Sequence, residues 1–543
     1  MQAAPQSDLS AQLQYEVNRR RTFAIISHPD AGKTTLTEKL LLYAGAVNEA
    51  GSVRARKNQR SATSDWMEME RQRGISITST VLQFEYLNHV FNLLDTPGHQ
   101  DFSEDTYRTL MAVDSAVMVL DRAKGIESQT RKLFEVCRQR HLPIITFINK
   151  MDNYGRDPFD LMDEIEKVLS LHVVPMNWPI GSGGEFQGVY DLRNRQVLLF
   201  QRTARGKHRA PVQVSDLDDP MLEETLGERA VAKLREDVEL LLGAGTSFNL
   251  ADFLKGTMTP IFFGSALNNF GIDPFLEALI QLAPAPRPRE SRNGLVEPTS
   301  DTFSGIIFKI QANMDPQHRD SMAFLRVCSG RFVKDMSVYH PRLKRKISMS
   351  RPHRLFARDR ETLDVAYPGD VIGLSNPGIF TIGDTVSAGS VVEYAPIPRF
   401  QPECFAVLRN SSIEKHKQFH KGLEQLQQEG VVQVFQGLGY TRSEPILGAV
   451  GKLQFDVVLA RLATEYNVAA TIDHLPYVTA CWIEGDELEI KKVRWSLQSL
   501  RVFDLDHRHL ILLESTWELK YQIKEHPNLH FVDIAGNPLA AAT

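Results

Sequence analysis

The run Ser27-His28-Pro29-Asp30-Ala31-Gly32-Lys33-Thr34 holds the densest chemistry in the chain. Its glycine lets the backbone turn tightly, its lysine carries an ammonium on a long stem, and its threonine adds a hydroxyl. These groups suit a polyphosphate. Loop N–H groups and a helix N-terminus would face the anion, Lys33 would reach the β/γ oxygens, and the Thr34 hydroxyl would ligate Mg²⁺. Ser27 stands where such a loop usually has its first glycine, and Thr35 completes the phosphate-facing set. A second group, Asp95-Thr96-Pro97-Gly98-His99, sets a carboxylate, a side-chain-free amide and an imidazole within five positions. Asp95 suits a metal-bound water, and the Gly98 N–H can approach a terminal phosphate. His99 then lies next to where an attacking water would sit. Read alone, Asp-Thr-Pro-Gly is also an ordinary turn signal. A third group, Asn149-Lys150-Met151-Asp152, selects the base. The Asp152 carboxylate can accept from guanine N1–H and the exocyclic N2 amine, whereas adenine would leave it unpaired. Ser265-Ala266-Leu267 offers backbone N–H groups to guanine O6.

Positioning these groups takes strand ends and one helix start. Thr22–Ile26 is short, apolar and β-branched, and the residues from Thr35 to Tyr43 carry helical spacing, so the first loop sits between strand and helix. Val81–Phe84 and Val90–Leu94 read as a hairpin whose second strand delivers Asp95. Ala116–Leu120 and Pro143–Ile148 read as buried parallel strands with a helix over Gln129–Arg140 between them, and Ile261–Gly264 leads into Ser265. The polar stretch through Arg54–Arg60 and Met67–Arg73 predicts a mobile loop ending at Gly74-Ile75-Ser76-Ile77-Thr78. Such a loop suits a segment ordered by a γ-phosphate and Mg²⁺, with the Ser76 hydroxyl on the metal. A solvated connector whose Ser76 merely begins the next strand is the alternative.

At 543 residues the chain exceeds one core, and 42% hydrophobic with 24% charged residues is ordinary for a globular protein. No apolar run reaches the ~18 residues of a membrane span, and the N-terminus lacks the apolar core of a secretory signal. Leu9–Val17 reads as a short helix. Four scattered cysteines, Cys137, Cys328, Cys404 and Cys481, argue against disulfides and zinc and for a reducing cytoplasm. A net charge of −5 leaves any RNA contact to local basic patches.

About 110 residues between Asp152 and Ser265 leave room for an inserted subdomain. It is expected to hold a helix over 160–171, one strand over Val173–Ile180, a hairpin within Glu185–Phe200 and a helical stretch over Met221–Leu242. The Pro-rich segment Leu282–Arg289 is a linker. From Phe303, short strands between glycine and proline turns predict a β-barrel. Within it lies a basic run of Arg342, Lys344, Arg345, Lys346, Arg351, Arg354, Arg358 and Arg360 against Asp359 alone. After a second linker at Pro396–Pro402, alternating helices and strands predict a compact α/β sandwich, with helix 453–466 as core. The expected architecture is therefore multidomain: an α/β P-loop GTPase domain with an inserted α/β subdomain, an all-β barrel, then an α+β sandwich. The expected boundaries are 1–18 for an N-terminal helix, 19–287 with the insert at about 155–258, 300–395, 400–525 and a tail at 526–543.

These motifs in this order resemble the translational GTPases. Histidine after the glycine of Asp-Thr-Pro-Gly-His and the loop Asp-Ala-Gly-Lys-Thr are typical of that family. The insertion and Gly448–Phe455 are similar to its elongation factor G and release factor branch. The resemblance implies GTP/GDP and Mg²⁺ as ligands, with Thr34, Ser76 and Asp95 at the metal. It implies that His99 positions the hydrolytic water once the ribosome's sarcin–ricin RNA orders it. Ser76 stands where the family has threonine, and Pro29, unusual in the family, joins Ile75 as the apolar gate around His99. Asp30 beside the phosphates would need a cation. The implied partners are rRNA and ribosomal proteins of both subunits and class I release factors, for a cytoplasmic monomer without membrane or zinc. The chain stops at Thr543 after the third domain, so an arm reaching the decoding centre is not expected. That length implies a termination factor that dissociates class I release factors without codon specificity. An elongation or rescue GTPase, and a ribosome-binding scaffold with a structural guanine nucleotide, are the alternatives.

Overall fold

The computed structural model describes residues 6–46, 77–201, 212–245, 247–312, 321–356, 359–437, 444–496, 498–504, 507–534 and 536–539. Helix α1 (Gln6–Asn18) leads into β1 (Arg20–Ser27), where the apolar run Phe23–Ile26 is wholly buried. Gly32, at φ 93°, turns the chain into α2 (Lys33–Tyr43), a left-handed step that glycine takes without strain. The hairpin β2 (Thr80–Tyr86) and β3 (His89–Asp95) follows, then α3 (Ser103–Leu110), β4 (Ser115–Asp121), α4 (Ser128–Gln139) and β5 (Ile144–Asn149). β3, β1, β4 and β5 pair in parallel, with β2 antiparallel beside β3. A parallel sheet puts the C-terminal strand ends, and so the site loops, along one edge.

The insert departs from expectation in two places. The apolar run over Val173–Ile180 is two strands, β6 (His172–Pro175) and β7 (Asn177–Ile180), in different sheets. β7 starts a small antiparallel sheet with β8 (Gly188–Asp191) and β9 (Gln196–Phe200), while β6 extends the main sheet beside β10 (Met258–Phe263). Asn177 holds the crossing, its side chain accepting from Phe263 N (2.7 Å) and donating to Phe263 O (3.1 Å). The stretch over 221–242 is likewise two helices, Met221–Leu226 and Glu228–Gly243, broken at Gly227.

The barrel is built on Ser304–Ala312, Ser321–Ser329 and Val371–Asn376, antiparallel neighbours with a common core around Ile307, Leu325 and Ile372. Its strand Pro352–Phe356 pairs with β2 through Phe356 and Leu82. Buried pairs fasten it to the GTPase domain: Arg20 with Asp370 (2.8 Å) and Arg326 with Asp114 (2.5 Å). The last domain has one eight-stranded sheet. Helices His416–Gln428 and Leu453–Tyr466 pack on its first half and Thr516–Glu525 on its second. His530–Val532, within the segment read as a tail, pairs with Thr479–Glu484.

Candidate functional site

At the phosphate end, Ser27 and His28 continue β1 into the loop and are buried. The buried Ser27 hydroxyl at the start of the loop has no hydrogen-bond partner among the described residues. Burial lowers the His28 pKa against the opposing pull of Glu127, whose carboxylate lies 3.6 Å away, so the ring is neutral at pH 7. Asp30 takes a left-handed φ of 66° and is exposed; Pro29, Thr34 and Thr35 are half-buried and Ala31 is fully buried. Lys33 Nζ sits 2.6 Å from Asp95 Oδ1, both side chains buried. The two charges that would divide phosphate and metal between them hold each other here. Thr96 Oγ1 donates to Ile25 O (2.6 Å), pinning the strand end, and Pro97 O accepts from Thr106 (3.3 Å). Gly98 then lies against the loop: a Cβ there would stand 3.7 Å from Pro29, between the two backbones.

His99 caps the short 3₁₀ turn Gln100–Phe102. Its Nδ1 accepts from Asp101 N (3.2 Å) and lies 3.3 Å from the Asp101 carboxylate, with the ring partly exposed. The Nδ1 side of the ring is thus engaged with its own turn.

At the opposite end, Asn149 terminates β5 and bridges two loops. Its Nδ2 donates to Ala31 O (2.8 Å) and its Oδ1 accepts from Ala266 N (2.9 Å). Lys150, at φ 65°, donates to Asp30 O (2.6 Å) and Asp121 (2.8 Å). Burial would raise the Asp121 carboxyl, but the Lys150 and Ala123 N–H bonds outweigh it and hold it below the usual carboxylate range. Met151 is buried, its N–H on Gly264 O (3.1 Å). Asp152 is half-buried and makes no hydrogen bond or ion pair to any described residue, which leaves its carboxylate available to a base. The expectation for Ser265-Ala266-Leu267 narrows here. Ser265 N–H is taken by Phe270 O (3.0 Å) and Ala266 N–H by Asn149, so of the three only the Leu267 N–H stays open.

Just beyond His99 the chain enters a three-domain junction that sequence reasoning missed. Asp101 Oδ2 accepts from Leu453 N (2.9 Å), at the start of the helix read as plain core. Gly451 approaches so closely that a Cβ would fall 2.0 Å from the Asp101 carboxyl carbon. Phe102 packs with Ile77 and Val457. Arg108 donates to Glu429 O (3.1 Å), and Glu429 forms a buried bidentate pair with Arg461 (2.6 and 2.9 Å) while accepting from Ala312 N of the barrel (3.0 Å). Burial works against the Arg461 charge, but Glu429 and Glu465 outweigh it and hold its pKa well above the ordinary arginine value. Lys309, also of the barrel, donates to the Ser79 carbonyl and hydroxyl. The one sequence signal was Gly-Lys-Leu-Gln at 451–454, a glycine just before a helix. Ser76, Ile75 and the loop expected at 54–73 lie outside the described residues, as does Arg358. Of the basic run, Arg342 is engaged by Asp384 through two 2.8 Å bonds, while Lys344, Arg345, Lys346, Arg351 and Arg354 are exposed.

Comparison with known proteins agrees along the chain. Residues 18–285 match the profile of the elongation factor Tu GTP binding domain, 302–389 elongation factor G domain 2, and 394–523 the Class II release factor RF3, C-terminal domain. The chain is 55% identical to peptide chain release factor 3 of Cyanothece sp., covering 97% of this chain and 98% of that one. It is 55% identical to the Gloeobacter violaceus protein of that name (96% and 98% covered) and 53% identical to that of Acaryochloris marina (98% of both). A crystal structure from Thermus thermophilus superposes with a TM-score of 0.68 over 86% of this chain and 70% of the other at 20% identity, which speaks to the fold alone. With these domain matches and these relatives, the chain belongs to the peptide chain release factor 3 family, the GTPases of translation termination.

Proposed function

We propose that this termination GTPase acts on the ribosome after class I release factors have worked. On this reading GTP loading drives their dissociation and recycling without codon specificity, and hydrolysis releases the GTPase itself. The observation that carries the reading is the double attachment of residues 95–102. Asp95 and Gly98 lie on the phosphate loop, while Asp101 and Phe102 are fastened to the third domain. A γ-phosphate that re-seats Gly98 must therefore act on the third domain's seat, which is how a local contact supplies free energy to a domain-scale change.

The phosphate loop, Asp95 and Gly98 hold the triphosphate, and Asn149, Lys150, Asp152 and Leu267 hold the base. The residues fit Mg²⁺: Thr34, Ser76 and Asp95 are hard oxygen donors, and Lys33 can leave Asp95 for phosphate. Thr34, Ser76 and Asp95 would hold that ion, which would supply positive charge against the negative charge developing on the reacting phosphate. His99 orients the attacking water. Exposed Lys344, Arg345, Lys346, Arg351 and Arg354 suit contacts to ribosomal RNA phosphates. The GTPase works as a cytoplasmic monomer. Among the described residues no helix is long and apolar enough to cross a membrane.

The test follows a labelled class I factor on post-termination ribosomes while GTP turnover is measured with and without ribosomes. GTP-dependent acceleration of dissociation and ribosome-stimulated turnover are expected. Turnover that ribosomes leave unchanged would favour a scaffold with a structural nucleotide.

A further inference from the structure

A cavity of about 350 Å³ lies away from the nucleotide site, between the C-terminal end of α4, the linker after residue 282 and the barrel. Three arginines line it: Arg140, which closes α4, and Arg287 and Arg289 of the linker. Two acids face them. Asp114 is committed, receiving Arg326 at 2.5 Å and the Arg287 N–H at 3.2 Å, and Glu290 is exposed. Arg287 and Arg289 each spend one guanidinium nitrogen on a carbonyl, His141 O (2.9 Å) and Met111 O (2.7 Å), which fixes where they stand. Arg140 differs. Its side chain makes no hydrogen bond or ion pair to any described residue, and its Nε is buried without a partner.

Burial first, and then the neighbouring Arg289 charge, lower the proton affinity of Arg140, yet a guanidinium stays charged at neutral pH. Three guanidinium groups share the recess with Asp114, already bonded to Arg326 and the Arg287 N–H, and with exposed Glu290, so positive charge is in excess there and an anion relieves it. The fork of Arg140 and the positioned Arg289 match the oxygens of a phosphate, which guanidinium groups bind in paired hydrogen bonds. Besides the charged groups the wall holds Gln139 and His141 and an apolar part of Met111, Leu142 and Ile306 beside the Tyr394 ring, and the volume falls in the range of small-ligand pockets. We propose that this cavity is a second anion site that takes a small phosphate monoester, its phosphate between Arg140 and Arg289 and its organic part against Ile306 and Tyr394. A recessed, partly apolar cavity favours a small molecule over an RNA backbone, which reaches exposed arrays. Because the walls come from the GTPase domain, the linker and the barrel, the ligand ties the three together.

The test uses the full chain saturated with GDP and Mg²⁺, so that the guanine site is filled. Inorganic phosphate and AMP, whose adenine the guanine site refuses, are titrated by ³¹P NMR and calorimetry, and melting temperature is followed against chloride of equal ionic strength. Both probes should bind, AMP more tightly, and both should raise the melting temperature. Arg140→Gln removes a guanidinium that makes no hydrogen bond or ion pair to any described residue. It should weaken both probes at least tenfold and leave GTP hydrolysis unchanged. Arg289→Lys, which keeps the charge and loses the fork, should weaken them less. A melting temperature that responds to phosphate no more than to chloride overturns the proposal. So does unchanged binding in Arg140→Gln, or binding of a short RNA duplex by a protein that ignores both small probes.

Discussion

Where Asp152 stands, Asn149 and Lys150 tie Ala31, Ala266, Asp30 and Asp121 together, all within one domain. Where Gly98 stands, the chain is held from outside: Leu453 and Val457 of the third domain seat Asp101 and Phe102, and Lys309 of the barrel holds Ser79. The first arrangement keeps its shape whatever the other domains do. The second can change only if they change too. If Asp152 reads the base as proposed, base recognition is built in before any nucleotide arrives, whereas the end at Gly98 is a joint whose position follows the arrangement of three domains. A joint of this kind suits a switch, because each state can be stabilised by its own set of contacts.

His99→Ala should give the largest effect and confine it to one end. Losing the group that positions the water lowers ribosome-stimulated turnover about 10²–10⁴-fold, with GDP affinity and base preference unchanged in equilibrium titration. A collapse of nucleotide affinity instead would remove His99 from the hydrolytic role. Arg461→Met attacks the joint directly. It leaves Glu429 buried at the meeting of three domains with its cation gone, and breaking such a pair costs about 3–5 kcal/mol. Chemical denaturation followed by domain-specific fluorescence should show the third domain releasing early, while the GTPase domain with GDP keeps its own midpoint. A single transition for the whole chain would mean that the two ends are not separable. Asp152→Asn tests the opposite end. Losing a charged acceptor weakens guanine binding by about 2–3 kcal/mol and should admit xanthine nucleotides, yet leave ribosome stimulation intact at saturating nucleotide. Unchanged base preference would take Asp152 out of the base site.

The sequence was informative where a signal is local. The phosphate loop follows from a strand, a Gly-Lys-Thr and a helix within 22 residues, from Thr22 to Tyr43, and the hairpin ending in Asp95 from alternation and apolar runs. It was silent where partners are distant. Nothing in Leu453–Tyr466 announces that its first N–H meets a carboxylate 352 positions away, so the helix reads as core and nothing more. The apolar run over Val173–Ile180 hid its division between two sheets because every residue in it is buried, and a strand buried on both faces carries no alternation to break. The Ser265 and Ala266 amides looked available only because Phe270 and Asn149, which occupy them, are chosen by the fold. Asp121, which anchors Lys150, sat at a strand end just as Asp95 does and was readable by the same argument.

The smallest predicted effect probes the joint most finely. Val457 is buried and touches Ile77 and Phe102, so two segments of the GTPase domain meet through the third domain. Val457→Ala removes two methyl groups and should cost about 1–2 kcal/mol. That cost falls on the seat formed by Ile77, Phe102 and Val457. If GTP opens this seat, as the proposed switch requires, weakening it shifts the balance toward the GTP-bound form, and the ratio of GTP to GDP affinity should rise, by up to about tenfold for 1.4 kcal/mol. Competition titration of the two nucleotides against a fluorescent GDP measures that ratio. If it falls instead, the seat formed by Ile77, Phe102 and Val457 belongs to the GTP state as well, and the joint must open somewhere else, at Asp101 and Leu453 or at Lys309 and Ser79.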